Sequence, residues 1–446
     1  MIFNNSKFNN HWPTKTLNDL GTFKRGKSKH RPRNDKRLFE GGNIPLVQTG
    51  EVKQANLFIK SHSANYNEFG LAQSHLWPKG TLCITIAANI AETSILGYEM
   101  CFPDSIVGFN AFKEECSEIF MHYIFTYIRS SIQDRIQGSI QDNINVDYLT
   151  GLKFKIPKKE ERTKIENLLF SLDAKIEVNN KINKELEAMA KTLYDYWFVQ
   201  FDFPDENGKP YKSSGGKMVY NEELKREIPE GWESCLLGDV VLKTGTGLNP
   251  RKHFVLGSGD NYYVTIKNIN QGQVVLDNKC DRISDEALEI INNRSDLRVG
   301  DILYTSIEPV GTTYLIRSKP KNWNINESVF TIRPNTKKVT SEFLYMFLSG
   351  DYIKAYTKNV SAGSIHKGVR HSTLKDCKFI LPSKELIVSY SKMINPILDK
   401  LELIQRENQK LSDLRDWLLP MLMNGQVSVG EEEQLGLVAD GRGEYN

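Results

Sequence analysis

Along residues 158–201 apolar side chains return in steps of four and three: Ile165, Leu169, Leu172, Ile176, then Leu186, Ala190, Leu193 and Trp197. A second stripe follows Pro382, with Tyr390, Ile394, Ile397, Leu401, Ile404, Asn408, Leu411 and Leu418. Such steps keep one seam of a helix turned towards a partner helix, so both stretches predict long helices that pair as a coiled coil. Each would be roughly 50 Å long at 1.5 Å per residue, too long for the inside of a domain of this size. Asn179 and Asn183 fall on the first seam and Asn408 on the second. Buried asparagine fixes register and partner in coiled coils. Asn183 and Asn408 occupy matching places and are candidates to pair; the alternative is that they face water. Pro396 interrupts the second stripe and marks either the helix start or a kink.

Ahead of each helix the pattern changes to short β-branched runs bounded by glycine, the mark of buried strands entered from a turn. These runs repeat. GTLCITIAANIAETSIL at 80–96 lies without a gap on GDILYTSIEPVGTTYLI at 300–316. Residues 138–157 lie on 363–382 with seven of twenty positions identical, and each copy starts near a tryptophan, Trp12 or Trp232. Three blocks in one order at a nearly constant offset point to an internal duplication, against two unrelated α/β domains with similar turns. The expected fold class is α+β. Two globular α/β domains, 1–157 and 229–382, stand in tandem, each followed by a long helix, 158–201 and 383–424. The helices are expected to pair antiparallel with pseudo-twofold symmetry, which would set the domains at opposite ends of a rod. The stretch 202–228, rich in Pro, Gly, Ser and charge, reads as a linker, and 425–446, with Glu431, Glu432 and Glu433, as a mobile acidic tail.

The formal net charge is only +3, so overall charge does not identify a nucleic-acid partner and local clusters must. The densest cluster is 24–37, where Lys24, Arg25, Lys27, Lys29, Arg31, Arg33, Lys36 and Arg37 face one acid, Asp35. Gly26, Pro32 and Asn34 make it a loop suited to phosphate contact, or else simply a solvated one. The second copy is less basic there, with Lys243, Arg251, Lys252 and His253. Polar loops after the strands supply further candidates for reading base edges: Thr49 and Lys53, Lys267 and Asn268, Thr305 and Ser306, and His366, Lys367 and Arg370. The six cysteines are scattered and form no C-x-x-C pair, which argues against structural zinc and a disulfide framework. No apolar run approaches the roughly 20 residues of a membrane span, and the N-terminus lacks a signal-peptide pattern. A soluble cytoplasmic protein is expected.

Three catalytic signatures fail on context. GTFKRGKS at 21–28 matches the phosphate loop in form, but Pro32 follows closely and the second copy lacks the Lys-Ser pair. Asp35 with Glu51 and Lys53 loosely resembles a metal-dependent nuclease set, yet the second copy keeps neither acid. An adenine methyltransferase needs an Asn/Asp-Pro-Pro-aromatic loop, whereas Asn249-Pro250 runs into Arg251 and Asn395-Pro396 into Ile397. A stand-alone nuclease or NTPase, and a coiled-coil interaction scaffold, remain the rival readings. Metal- or ATP-dependent activity of the isolated chain would favour the first, and failure to bind any duplex the second.

The segment 194–233, with Trp197-Phe198-Val199, Phe201-Asp202-Phe203-Pro204, Gly208-Lys209-Pro210-Tyr211, Ser213-Ser214-Gly215-Gly216-Lys217-Met218 and Ile228-Pro229-Glu230-Gly231-Trp232, closely resembles the central conserved region of Type I restriction-modification specificity subunits. The block 155–179 resembles that family's passage from target domain into helix. The resemblance implies a DNA-binding, non-catalytic subunit with two target-recognition domains, each reading half of an asymmetric bipartite site, and helices that set the spacer. It implies two modification subunits docked on the helices, which use S-adenosylmethionine for N6-adenine methylation. It also implies restriction subunits that use ATP and Mg2+. No base contact carries over, because target domains in this family vary freely.

Overall fold

The computed structural model describes residues 2–137, 146–270, 272–277, 279–361 and 368–430. The candidate contacts His366 and Lys367, residues 138–145 and 363–367 of the aligned blocks, and the acidic Glu431, Glu432 and Glu433 lie outside the described residues. The chain forms two compact units, Met1–Asn179 with Asn408–Asn446, and Asn180–Glu407. The boundary cuts both long helices, so each unit owns one globular domain and a piece of each helix.

In the first unit one sheet runs in the order Gly21–Arg25, Ile106–Ala111, Leu82–Thr85, Thr93–Leu96, Phe58–Ile59. A second joins Ala64–Tyr66, Ile44–Leu46, Met100–Cys101 and Leu76–Trp77. The second unit repeats the first four strand positions as Val241–Thr246, Val329–Pro334, Ile302–Thr305 and Thr313–Leu315. Both central hairpins are entered through a glycine at φ 90°, Gly80 or Gly300, a backbone conformation that only glycine adopts without strain. Leu82–Thr85 and Ile302–Thr305 are buried at every position, as the unbroken apolar runs require. A two-stranded ribbon recurs as well: Thr14–Thr16 pairs with Lys153–Lys155, and Glu233–Leu236 with Lys378–Leu381.

The stretch 202–228, expected as a linker, is folded onto the second unit. Phe203 stacks on Tyr211 at 4.6 Å and on Trp232 at 5.2 Å. Asp202 accepts from the Ser213 amide and hydroxyl at 2.7 Å, and Met218–Asn221 pairs with Arg226–Pro229 as a hairpin. Its turn-rich composition hid the aromatic residues that anchor it.

The first long helix spans Lys159–Tyr194 and ends in a π turn, Asp195–Val199; the second spans Lys384–Met423, continuous through Pro396. Within each unit they run antiparallel. In the first unit Asp173 Oδ1 accepts from Arg415 Nη1 at 2.7 Å, and Asn179 Nδ2 donates to Asn408 Oδ1 at 2.8 Å. Moving up one helix therefore means moving down the other. In the second unit Tyr390 receives Trp197 at 5.6 Å and Phe198 at 4.9 Å. The seam residues Ile165, Leu169, Leu172, Ile176, Trp197, Ile394, Leu401 and Ile404 are buried. Leu186, Leu193, Asn408, Leu411 and Leu418 are half-buried. The expected Asn183–Asn408 pair is corrected: Asn408 bonds Asn179, because the register that joins Asp173 to Arg415 brings Asn179 opposite it. Asn183 does not face water either. It is buried, and its amide has no hydrogen-bond partner among the described residues.

The helix Glu118–Gln137 covers the first sheet and carries His122, buried with Nδ1 3.0 Å from Thr93 Oγ1. Burial, then the Arg129 and Arg415 charges, lowers its pKa from 6.5 to about 3. The folded ring stays neutral where the unfolded chain takes a proton. This contribution is therefore complete above 6.5 and is lost by ~1.4 kcal/mol per pH unit on descent towards about 3. His122→Asn, which cannot titrate, is expected to flatten the pH dependence of urea unfolding between about pH 4 and 6.5. An unchanged slope would assign the proton to another group.

Candidate nucleic-acid interface

Each central hairpin ends in a loop held by the same backbone frame. In the first unit the Thr85 amide donates to Glu92 O at 3.0 Å, Ala91 N to Thr85 O at 2.9 Å, and Ile86 N to Ser105 O at 2.9 Å. In the second, Thr305 N donates to Thr312 O at 2.9 Å, Gly311 N to Thr305 O at 3.0 Å, and Ser306 N to Ser328 O at 2.9 Å. The threonine hydroxyl completes both frames, accepting from Glu92 N at 3.0 Å and from Thr312 N at 2.9 Å. The residue before the closing one has positive φ in both, Ala91 at 61° and Gly311 at 87°. The frames match, but the tips differ. The first presents Ala88, exposed, with Asn89 and Ile90 half-buried; in the second the aligned Glu308 and Pro309 are exposed and Val310 half-buried, with Ile307 exposed ahead of them.

This corrects three sequence candidates. Thr305 and Ser306 are buried and build the frame, the Ser306 hydroxyl donating to Ser328 O at 2.8 Å. Asn268 is buried too, its Oδ1 accepting from the Thr265 amide and hydroxyl at 2.9 and 3.0 Å. Polar residues beside a sharp turn satisfy backbone groups before they face solvent. Thr49 is half-buried at the start of the helix Thr49–Gln54, while Lys53 on that helix is exposed and donates to Asn89 Oδ1 at 3.2 Å. Lys267 and Arg251 are exposed on the short turns Ile266–Asn268 and Pro250–Lys252, the second of which also holds Lys252. Arg370 is exposed and follows Val369, whose amide donates to Ser306 O at 2.8 Å, so the fold brings it beside the second loop.

The basic stretch is not wholly loop, since Lys24 and Arg25 lie on the strand Gly21–Arg25. Lys27, Lys29, Arg31 and Arg33 follow it in irregular backbone, Lys29 N and His30 N donating to Gln73 Oε1. Asp104, which no local pattern links to this loop, draws Arg33 to 2.7 Å and Arg31 to 3.7 Å, and its carbonyl accepts from Arg25. Asp35 is taken by Arg37 at 2.7 Å and His30 at 2.8 Å, and these bonds, Arg37's foremost, hold its carboxyl well below the usual carboxylate range. Lys24, Lys27 and Lys29 form no ion pair among the described residues, leaving their charge available.

The enzyme signatures are absorbed by structure. Residues 21–25 are a strand, so the phosphate-loop match lacks the helix N-terminus that would hold phosphates. Glu51 accepts from Gln48 N at 2.7 Å and from Ser63 N at 2.6 Å. Among the described residues no three His, Cys, Asp or Glu side chains converge on a possible metal position, and no helix is long and apolar enough to cross a membrane.

Both long helices carry a second apolar stripe that the sequence reading missed. Val178, Ile182, Met189, Tyr196 and Val199 fall at heptad positions off the buried seam, with Met189 56% exposed. On the second helix Leu403, Leu414 and Trp417 are exposed, Trp417 by 57%. The signal was present in the spacing, but the stronger inner stripe overlay it.

A family model described as "Type I restriction modification DNA specificity domain" matches residues 9–188 and again 229–414. The chain is 24% identical over 434 residues to the Type I restriction enzyme MjaIX specificity subunit of Methanocaldococcus jannaschii, covering 94% of each. It is 26% identical to the HindI specificity subunit of Haemophilus influenzae, over 64% of this chain and 71% of that one. The crystal structure of a Type I restriction-modification S subunit from M. genitalium shares the fold, with TM-score 0.57 at 16% identity, over 95% of this chain and 99% of that one. The chain thus belongs to the Type I restriction modification DNA specificity family and carries that domain twice.

Proposed function

We propose that this chain is the DNA sequence-recognition subunit of a Type I restriction-modification complex and performs no chemistry itself. Its two target-recognition domains each read one half of an asymmetric bipartite site in double-stranded DNA, and the helices set the unspecified spacer. The observation that carries this reading is the repeated loop: one hydrogen-bonded frame in both domains, bearing different side chains at the tip. Two equivalent readers with different tips fit two unlike half-sites. Unpaired Lys24, Lys27 and Lys29 supply sequence-independent phosphate attraction. The outer apolar stripes supply docking faces for two modification subunits. These partners would provide S-adenosylmethionine and N6-adenine methylation, with the target base flipped from the duplex. Restriction subunits would add ATP- and Mg2+-dependent translocation and cleavage.

Single-molecule sequencing of adenine methylation, in a host expressing the cognate modification subunit with and without this chain, tests the proposal. A methylated bipartite motif that appears only with the chain is the expected result. Absence of any chain-dependent motif, with both proteins soluble and assembled, would sink it. Changing Lys24, Lys27 and Lys29 together to Ala is expected to weaken binding to every duplex. The slope of log affinity against log salt should become shallower by about 3. A normal slope measured by fluorescence anisotropy would remove these lysines from the interface.

A further inference from the structure

The two loops share a frame but not a support. In the first unit the helix Glu118–Gln137 reaches the carbonyls of loop residues directly. Gln133 Nε2 donates to Ile90 O at 2.8 Å and Arg129 Nε to Ala91 O at 3.4 Å, while Arg129 Nη1 pairs with Glu92 at 3.0 Å. Ala91 and Ala88 are held at φ 61° and 63°, a region that disfavours any residue with a Cβ, so the loop is over-determined by its surroundings.

Among the described residues the second unit shows no such bonds from helix to loop. The alignment of 80–96 on 300–316 sets Thr312 in the place of Glu92 and Gly311 in that of Ala91. Tyr-Ile-Arg at 127–129 corresponds to Tyr-Ile-Lys at 352–354, so Lys354 stands for Arg129. The single helix of the first unit is here two, Ser341–Ser349 and Asp351–Ser361, parted at Gly350. Lys354 is exposed and forms no ion pair among the described residues. A cavity of about 520 Å³ opens where the clamp would be, lined by Val310, Gly311 and Thr312 of the loop, by Lys354, and by Tyr194 and Tyr345 opposite.

We infer that Arg129 and Gln133 are positioning residues that fix the first reading loop in one geometry, whereas the second loop, backed by a cavity, adapts to its base pairs. The first domain is then the stringent reader and the second the tolerant one. The inference rests on the proposed role of the loops in reading DNA. A loop held at its edge by the Ile307–Gly368 bridge and the Val369 amide, but by no helix side chain among the described residues, can shift at its glycine bend to accept a changed base edge. A loop tied by two side chains to a helix cannot, and a mismatch there leaves polar groups unpaired.

The test uses the assembled methyltransferase complex and duplexes carrying single base changes in either half-site. Asn89→Ala and Ile307→Ala first show which half each loop faces. In the unaltered complex, changes in the half facing Ile307 are expected to be accepted about tenfold more readily than changes in the half facing Asn89. Arg129→Ala with Gln133→Ala should relax discrimination about tenfold in the Asn89 half alone. Arg129→Lys, which keeps the Glu92 pair, should give an intermediate value. Intact discrimination in the other half reports that the double variant is folded and assembled; if it fails to assemble, Arg129→Lys and Gln133→Leu singly carry the same comparison. The inference falls if both halves are equally stringent in the unaltered complex. It also falls if the clamp variants leave the Asn89 half unchanged, or if they degrade both halves alike. Should Asn89→Ala and Ile307→Ala themselves change nothing, the loop reading fails and takes the inference with it.

Discussion

Changing Leu414 and Trp417 together to Asp is expected to abolish stable assembly with the modification subunits while leaving the chain folded. Both side chains are exposed on the outer face of the second long helix, so the core loses nothing. At an interface an aromatic anchor commonly contributes 2 kcal/mol or more, roughly thirtyfold in affinity, and a carboxylate there adds its own desolvation cost. Two such changes should remove the complex at micromolar concentrations. Light scattering of the mixed subunits, beside a melting curve of the chain alone, reads both halves of the expectation. A full complex from the double variant would show that the outer stripes are not the docking faces, whatever the helices do for the fold.

A loss of about 2–3 kcal/mol in the first unit is expected from Asp173→Ala. Asp173 is almost wholly buried and serves two elements, accepting from Tyr123 Oη at 2.7 Å and from Arg415 Nη1 at 2.7 Å. Removing it strands the Tyr123 phenol and leaves the Arg415 guanidinium, which Asp416 still holds at 2.8 Å, without its buried partner. Burial, together with the Asp173 charge, pushes the Tyr123 phenol up, so it remains a donor and cannot substitute for the lost anion. Asp173→Asn keeps an acceptor for Tyr123 and should cost less. Urea unfolding of both variants gives the comparison; equal losses would mean that the carboxylate charge, which both variants lack, carries the whole effect and the acceptor for Tyr123 none.

What the sequence revealed was what repeats locally. The seams of the long helices and the two glycine-led hairpins follow from spacing within a few dozen residues, and the duplication from the recurrence of such local patterns further along the chain. The failures have two causes, partnership at long range and polar groups spent on the turns that hold them. Asp104 is 71 positions from Arg33, and nothing in the basic stretch announces that three of its arginines, Arg25, Arg31 and Arg33, are already engaged by it. The Asn179–Asn408 bond depends on how two antiparallel helices slide, which heptad spacing does not encode. Thr305, Ser306 and Asn268 looked like outward-facing loop residues. Their hydroxyl and amide groups are consumed by the turns they sit in. The clamp residues Arg129 and Gln133 were overlooked because a helix with mixed polarity gave no reason to look beneath it.

The loop frame has a consequence for inheritance. Its bonds run between backbone atoms, and the one side chain it needs is a threonine, Thr85 or Thr305. The residues between the closing bonds can therefore be exchanged without disturbing the strands that carry them. The chain already shows it, holding Ala-Asn-Ile in one copy where it holds Glu-Pro-Val in the other. A lineage can draw new tip sequences by mutation or recombination and keep the same scaffold, so specificity is free to drift faster than fold.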